Sequence, residues 1–139
     1  MTPGNKTVSV YISEDLRKRA EEAGINLSRT LTDAVQEELA RRDAIADTLS
    51  DGIEDHEVEL EEYTGVITGK YLGELNNGDQ VYLTDDERLL VYDPGNLRLD
   101  EIDDPGTAVS DWLQHAGRYE AETISGIAHA LGIRPRVRL

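Results

Sequence analysis

The first forty or so residues confine this chain more than any other part. They spell a strand, a helix, a tight corner and a second helix that cannot hide their own apolar face. Over Thr7–Ile12, Val8, Val10 and Ile12 alternate with Thr7, Ser9 and Tyr11, the period of a half-buried strand. Ser13 offers an N-cap hydroxyl, and Glu14 and Asp15 fall in the first turn, where the helix dipole favours acids. That helix runs to about Ala23, with Leu16, Ala20 and Ala23 on one face, and Gly24 is a left-handed terminator. Asn26 then caps a second helix in which Leu27, Leu31, Val35 and Leu39 recur every four residues beside Ala34.

A unit this short buries too little surface to be stable alone. A second copy solves the problem. Two strands pair antiparallel, which removes the exposed edge, and their apolar sides seal against four helices. The expected dimer core is Val8, Val10, Ile12, Leu16, Leu31, Val35 and Leu39. The outward side, Thr7, Ser9 and Tyr11, becomes a two-stranded ribbon of a size that enters the DNA major groove, where hydroxyls can meet base edges.

The stretch "KTVSVYISEDLRKRAEEAGINLSRTLTDAVQEELARR" resembles a ribbon-helix-helix DNA-binding domain of the MetJ/Arc type. Its part "GINLSRTLTDAVQEELARR" is particularly similar to CcdA-like antitoxins. The resemblance covers residues 5–43. It implies base reading by Thr7, Ser9 and Tyr11, and a phosphate clamp at the start of the second helix on Asn26, Leu27 and Ser28, with Arg29 beside it and Lys6 at the strand's edge. Such a clamp uses unpaired backbone N–H groups and the helix dipole. Many ribbons of this type carry Arg, Lys, Asn or Gln, whereas this one carries two short hydroxyls and a tyrosine. Shape readout or repeated half-sites are therefore expected to contribute to specificity.

Charge divides the chain at the same place. Residues 1–43 hold seven basic against eight acidic side chains, and residues 44–139 hold seven against twenty-one, which together make the net charge of −15. The repulsion of DNA is thus concentrated in the second part. Only three of the fourteen basic residues are lysines, and Phe is absent. A Lys-poor, acid-rich composition of this kind is expected of a halophile, where molar salt screens self-repulsion within a few ångströms. The absence of cysteine excludes disulfides and thiolate chemistry. No apolar run reaches the roughly 18 residues of a membrane span, and the first residues lack the apolar stretch of a signal peptide. A cytoplasmic protein with no membrane partner is expected.

The expected fold class is α+β: a dimeric ribbon-helix-helix over residues 1–45, an acidic linker over 46–62, and a small α+β module over 63–139. The linker is read as a fraying helix and a solvated stretch, with a strand possible from Val58. In the module, "YTGVITGKYL" is strand-like, with Gly65, Gly69 and Gly73 marking bulges or close packing. Asn77-Gly78 is a strong hairpin signal, followed by "QVYL", a "TDDE" turn and "RLLVYD". Gly95, in Asp93–Asn96, is placed for a type II bend. Two helices follow, Thr107–Ala116 with Val109, Trp112, Leu113 and Ala116, and Glu120–Leu131 with Ile124, Ile127, Ala128 and Leu131. Gly117 and Gly132 are expected to end them. The module thus reads as a three-strand meander and two helices.

Nickel-responsive repressors are similar in overall plan, but their sensor wants several His or Cys ligands. This chain has only His56, His115 and His129, which read as surface or packed histidines. "ETISGIAHALGI" resembles the first helix of a helix-turn-helix, but too little chain follows for a recognition helix. The acidic runs Glu57–Glu62, Asp85–Glu87 and Asp100–Asp104 lack the glycine-punctuated loop of an EF-hand and read as solvated loops. No Gly-rich phosphate loop, activated nucleophile or distinctive carboxylate pair is present, so no enzyme, cofactor or metal is expected. The main expectation is a dimeric transcriptional regulator, such as a repressor, that binds double-stranded DNA. Its residues 63–139 would meet a partner protein, another copy or an effector. The alternative is an autoregulating antitoxin that masks a toxin with its acidic C-terminal part. A third reading is a dimeric scaffold whose ribbon is only a seam.

Overall fold

The computed structural model of the chain describes residues 12–135. The expected ribbon strand, apart from Ile12, lies outside the described residues. The chain forms two compact units, Met1–Glu37 and Glu38–Leu139. It is an α+β protein: two helices, a five-stranded antiparallel meander, then two more helices.

In the first unit, local capping chemistry sets the helix ends where the sequence puts them. Helix α1 spans Glu14–Glu22, and the Ser13 hydroxyl accepts from Leu16 N at 3.3 Å. It closes at Gly24, whose φ of +74° suits a residue without Cβ, with Ile25 N donating to Ala20 O at 2.9 Å. Helix α2 starts at Leu27, and Asn26 Oδ1 accepts from Arg29 N at 3.1 Å.

Helix α2 does not fray after Asp43 but runs to Ser50. Its later residues belong to the second unit, where Ile45 and Leu49 pack on the main core. The Thr48 hydroxyl donates to Ala130 O at 2.6 Å. Lys70 Nζ reaches Thr48 O at 3.4 Å and Asp51 Oδ2 at 3.3 Å, placing a cation at the helix's negative end. The stretch 46–62, expected to be an acidic linker, therefore carries the end of α2 and all of strand β1, Glu54–Glu59. Acidity disguised it. Along β1 only His56 and Val58 turn inward, and the acids between them face solvent.

The meander continues through β2 (Thr64–Glu74), β3 (Gln80–Thr84), β4 (Leu89–Asp93) and β5 (Arg98–Ile102). It has five strands, not the expected three. Strand β5, "RLDEI", was hidden because an edge strand needs few apolar residues, and its Asp100 and Glu101 read as part of a loop. The Asn77-Gly78 hairpin forms between β2 and β3, with Gly78 at φ +92°. The expected type II bend at Gly95 does not form, since positive φ falls on Leu97 instead. There the Asp93 carboxylate accepts from Gly95 N at 3.0 Å and Asn96 N at 3.2 Å, so the aspartate organises the turn.

In strand β2, Gly69 pairs with Glu54 of β1 on one side and Thr84 of β3 on the other, and the register against β3 shifts further on, between Tyr71 and Gly73. A Cβ at Gly69 would lie 2.0 Å from Leu83 O, so only glycine permits so close an approach of the β3 backbone. The sheet carries a core on each face. On one face, Leu75, Val81, Leu83, Leu89 and Val91 pack under Val109, Ile124, Ile127, Ala128 and Leu131. On the other, Val58 and Ile67 fold over Tyr82, Leu90 and Tyr92, and the Tyr92 hydroxyl donates to Glu59 O at 2.7 Å. Strands β3 and β4 thus read as continuous apolar runs because both of their faces are covered.

Helices α3 (Pro105–His115) and α4 (Arg118–Ala130) supply the expected apolar residues to the first core. Asp104, expected in a solvated loop, caps α3 by accepting from Thr107 N at 3.2 Å. Gly132 (φ +66°) ends α4 as expected, but Gly117 does not end α3. It is the N-cap of α4, at φ −74°.

Candidate nucleic-acid interface

Of the residues expected to read or clamp DNA, Lys6, Thr7, Ser9 and Tyr11 lie outside the described residues, as do Val8 and Val10 of the expected dimer core. Ile12 is half-buried. The helical members of that core are exposed in the single chain: Leu16 at 53%, Leu31 at 43%, Val35 at 49% and Leu39 at 56%. Ile25, which the spacing did not single out, is also exposed. Scattered surface leucines need no explanation, but Leu31, Val35 and Leu39 recur every four residues along α2 and form one apolar stripe. No residue of α2 is fully buried. The stripe is a surface that a partner must cover.

The N-terminus of α2 gathers Asn26, Leu27, Ser28 and Arg29. Asn26 Oδ1 takes the Arg29 amide, so Leu27 and Ser28 carry first-turn amides that helix geometry leaves without an i−4 acceptor. The two helix starts differ in charge. Helix α1 opens with Glu14 and Asp15, which neutralise its dipole, whereas α2 has no acid in its first turn. The positive end of α2 is therefore not neutralised by a first-turn acid, and Arg29 is the third residue of the helix. Arg41 and Arg42 are occupied differently, both pairing with Glu38, at 3.4 and 3.1 Å.

Elsewhere the described residues hold no group of three His, Cys, Asp or Glu side chains able to grip a metal. His56 stacks obliquely on Tyr82 with ring centroids 5.1 Å apart, and exposed His115 faces Asp111. No helix among the described residues is long and apolar enough to cross a membrane.

Several acids of the second unit are individually engaged. The Thr84 hydroxyl first, and the Arg88 guanidinium second, hold the Asp86 carboxyl below its ordinary range. Arg88 Nε lies 2.9 Å from Asp86 and its Nη1 3.8 Å from Glu101. Asp93 is lowered chiefly by the Asn96 side-chain amide, and Asp104 chiefly by the Thr107 hydroxyl. Within the acidic runs, Asp86 is thus a turn residue and Asp104 a helix cap, while Glu57, Glu59, Asp100 and Glu101 lie on edge strands.

The strand-helix-helix sequence, the apolar stripe and the acid-free start to α2 fall within a segment that matches a known family. Residues 5–57 match the post-segregation antitoxin CcdA. The CcdA segment takes in the expected ribbon strand, α1, all of α2 and the opening of β1, further than residues 5–43. It is a segment of the chain, and most of the sheet with α3 and α4 lies beyond it. The CcdA family is of ribbon-helix-helix type and non-enzymatic, and it implies DNA binding and a toxin partner. No curated protein and no solved structure matches the chain.

Proposed function

We propose that the chain is an antitoxin that dimerises through its N-terminal segment, represses its own promoter and neutralises a toxin with its acidic second unit. The CcdA match over residues 5–57 carries this reading. It favours the antitoxin over the stand-alone regulator, and promoter repression becomes one half of the role. The exposed stripe of Leu31, Val35 and Leu39 supports dimerisation. In the dimer, Val8, Val10 and Ile12 seal an intermolecular ribbon against both pairs of helices, and Thr7, Ser9 and Tyr11 face base edges. Asn26, Leu27, Ser28 and Arg29 hold a phosphate at the start of α2, with Lys6 as a further contact.

The division of labour follows charge. Residues 1–45 are nearly neutral and tolerate DNA, while the acidic remainder repels it and suits a cationic protein partner. The working compartment is the cytoplasm, and the acid-rich, lysine-poor composition fits a halophile. Mobility shift on the upstream DNA of its own gene, in the salt of its source, tests the DNA half. Ser9→Ala and Tyr11→Ala should each weaken binding, and undiminished binding by both would refute ribbon readout. Co-expression with the product of an adjoining toxin gene tests the other half: growth should be restored, and continued toxicity refutes neutralisation.

A further inference from the structure

Between β2 and β5, on the face without helices, a cleft of about 460 Å³ remains open. Its walls include Ile67 and Leu90, which belong to the second core, and Leu99, which packs against that core. The β3–β4 turn and β5 rim it with Asp85, Asp86 and Glu101. Arg88 is the one basic residue of the lining, so three carboxylates face one guanidinium. Asp86 already holds Arg88 tightly, whereas Glu101 meets it only at 3.8 Å, and Asp85 makes no ion pair among the described residues.

The chemistry of this mouth is that of a receptor for a long cationic side chain. An arginine or lysine combines an apolar stem with a charged head, and the stem gains by lying on apolar surface while the head stays among acids. Ile67, Leu90 and Leu99 suit the stem, and Asp85 and Glu101 the head. An anionic or neutral occupant would meet uncompensated negative charge. The volume falls in the range of clefts that take a small group. Arg88, drawn onto Asp86 and toward Glu101, shows that the rim holds a guanidinium.

We propose that this cleft is the docking site for an arginine-bearing segment of a partner protein. The partner is the toxin, so the identity of the occupant rests on the antitoxin reading. The cation-accepting chemistry of the cleft does not. The site belongs wholly to the folded second unit and requires no unstructured tail.

The probe is a short peptide alternating arginine and leucine, titrated into the full chain and followed by backbone amide shifts. Peptides with norleucine or glutamate in place of arginine serve as comparisons. The arginine peptide should move the amides of Val66–Thr68, the Thr84–Arg88 turn and Leu99–Glu101. It should bind about tenfold more weakly to the Asp85→Asn/Glu101→Gln double variant, and no more weakly to Glu122→Gln on α4. Equal binding of the norleucine peptide, shifts centred elsewhere, or an equal loss with Glu122→Gln would overturn the proposal. The double variant is then assayed in the toxin co-expression experiment. Full neutralisation by it, with the parent active, removes the cleft as the docking site and leaves the antitoxin reading intact. Failure of the parent removes the toxin as partner, while the peptide titration still decides the cleft.

Discussion

Replacing Leu31 with alanine isolates the energetic claim on which dimerisation stands. Leu31 is 43% exposed in the single chain and belongs to neither core of the second unit. Fully burying a leucine side chain is worth about 1.5–3 kcal/mol, so covering the exposed part of Leu31 recovers about 1 kcal/mol. A two-fold dimer counts each substitution twice, which gives about 2 kcal/mol lost per dimer. That converts to a dissociation constant weakened by about thirtyfold, and an unfilled cavity would add to it. Sedimentation equilibrium over a range of concentrations measures the constant directly. Because the proposed ribbon would form only in a dimer, the operator mobility shift should move to higher protein concentration in parallel. The near-ultraviolet signal of Trp112, which packs in the second unit, should stay unchanged. A parent chain that sediments as a monomer, or a Leu31→Ala chain with the parental constant, would refute the reasoning.

Gly69→Ala should cost about 3 kcal/mol or more in thermal or urea unfolding, because its Cβ would lie 2.0 Å from Leu83 O and 2.7 Å from Thr84 Cα, both backbone. A near-parental midpoint would show that the β2–β3 approach can relax. Arg29→Ala should weaken operator binding about equally for all sequences and lower the salt slope by about one unit for each phosphate no longer neutralised. An unchanged slope would remove Arg29 from the phosphate clamp. Asp104, lowered chiefly by the Thr107 hydroxyl and then by its backbone amide, contributes stability above the ordinary aspartate range, and that contribution disappears as pH falls through its folded value. The parent should therefore exceed Asp104→Asn in melting temperature at neutral pH, with the gap closing below about pH 4. A gap that holds or widens in acid contradicts the capping role.

Where structure is written in local chemistry, the sequence by itself determined it. Ser13 and Asn26 announce two helix starts, Gly24 and Gly132 two helix ends, and Asn77-Gly78 a hairpin, because capping and left-handed φ depend on a few adjacent atoms. Spacing also gave away the apolar stripe of α2 and the core residues of α3 and α4. What the sequence could not reveal depended on distant neighbours. Strands β1 and β5 look like acidic loops until β2 and β4 pair with them. The length of α2 depended on a surface for Ile45 and Leu49, built from residues far along the chain. The cleft had no local signal at all. Ile67, Asp85, Leu90 and Glu101 meet only because β2 to β5 pair side by side in one sheet, and that pairing, rather than any motif, made the acidic mouth.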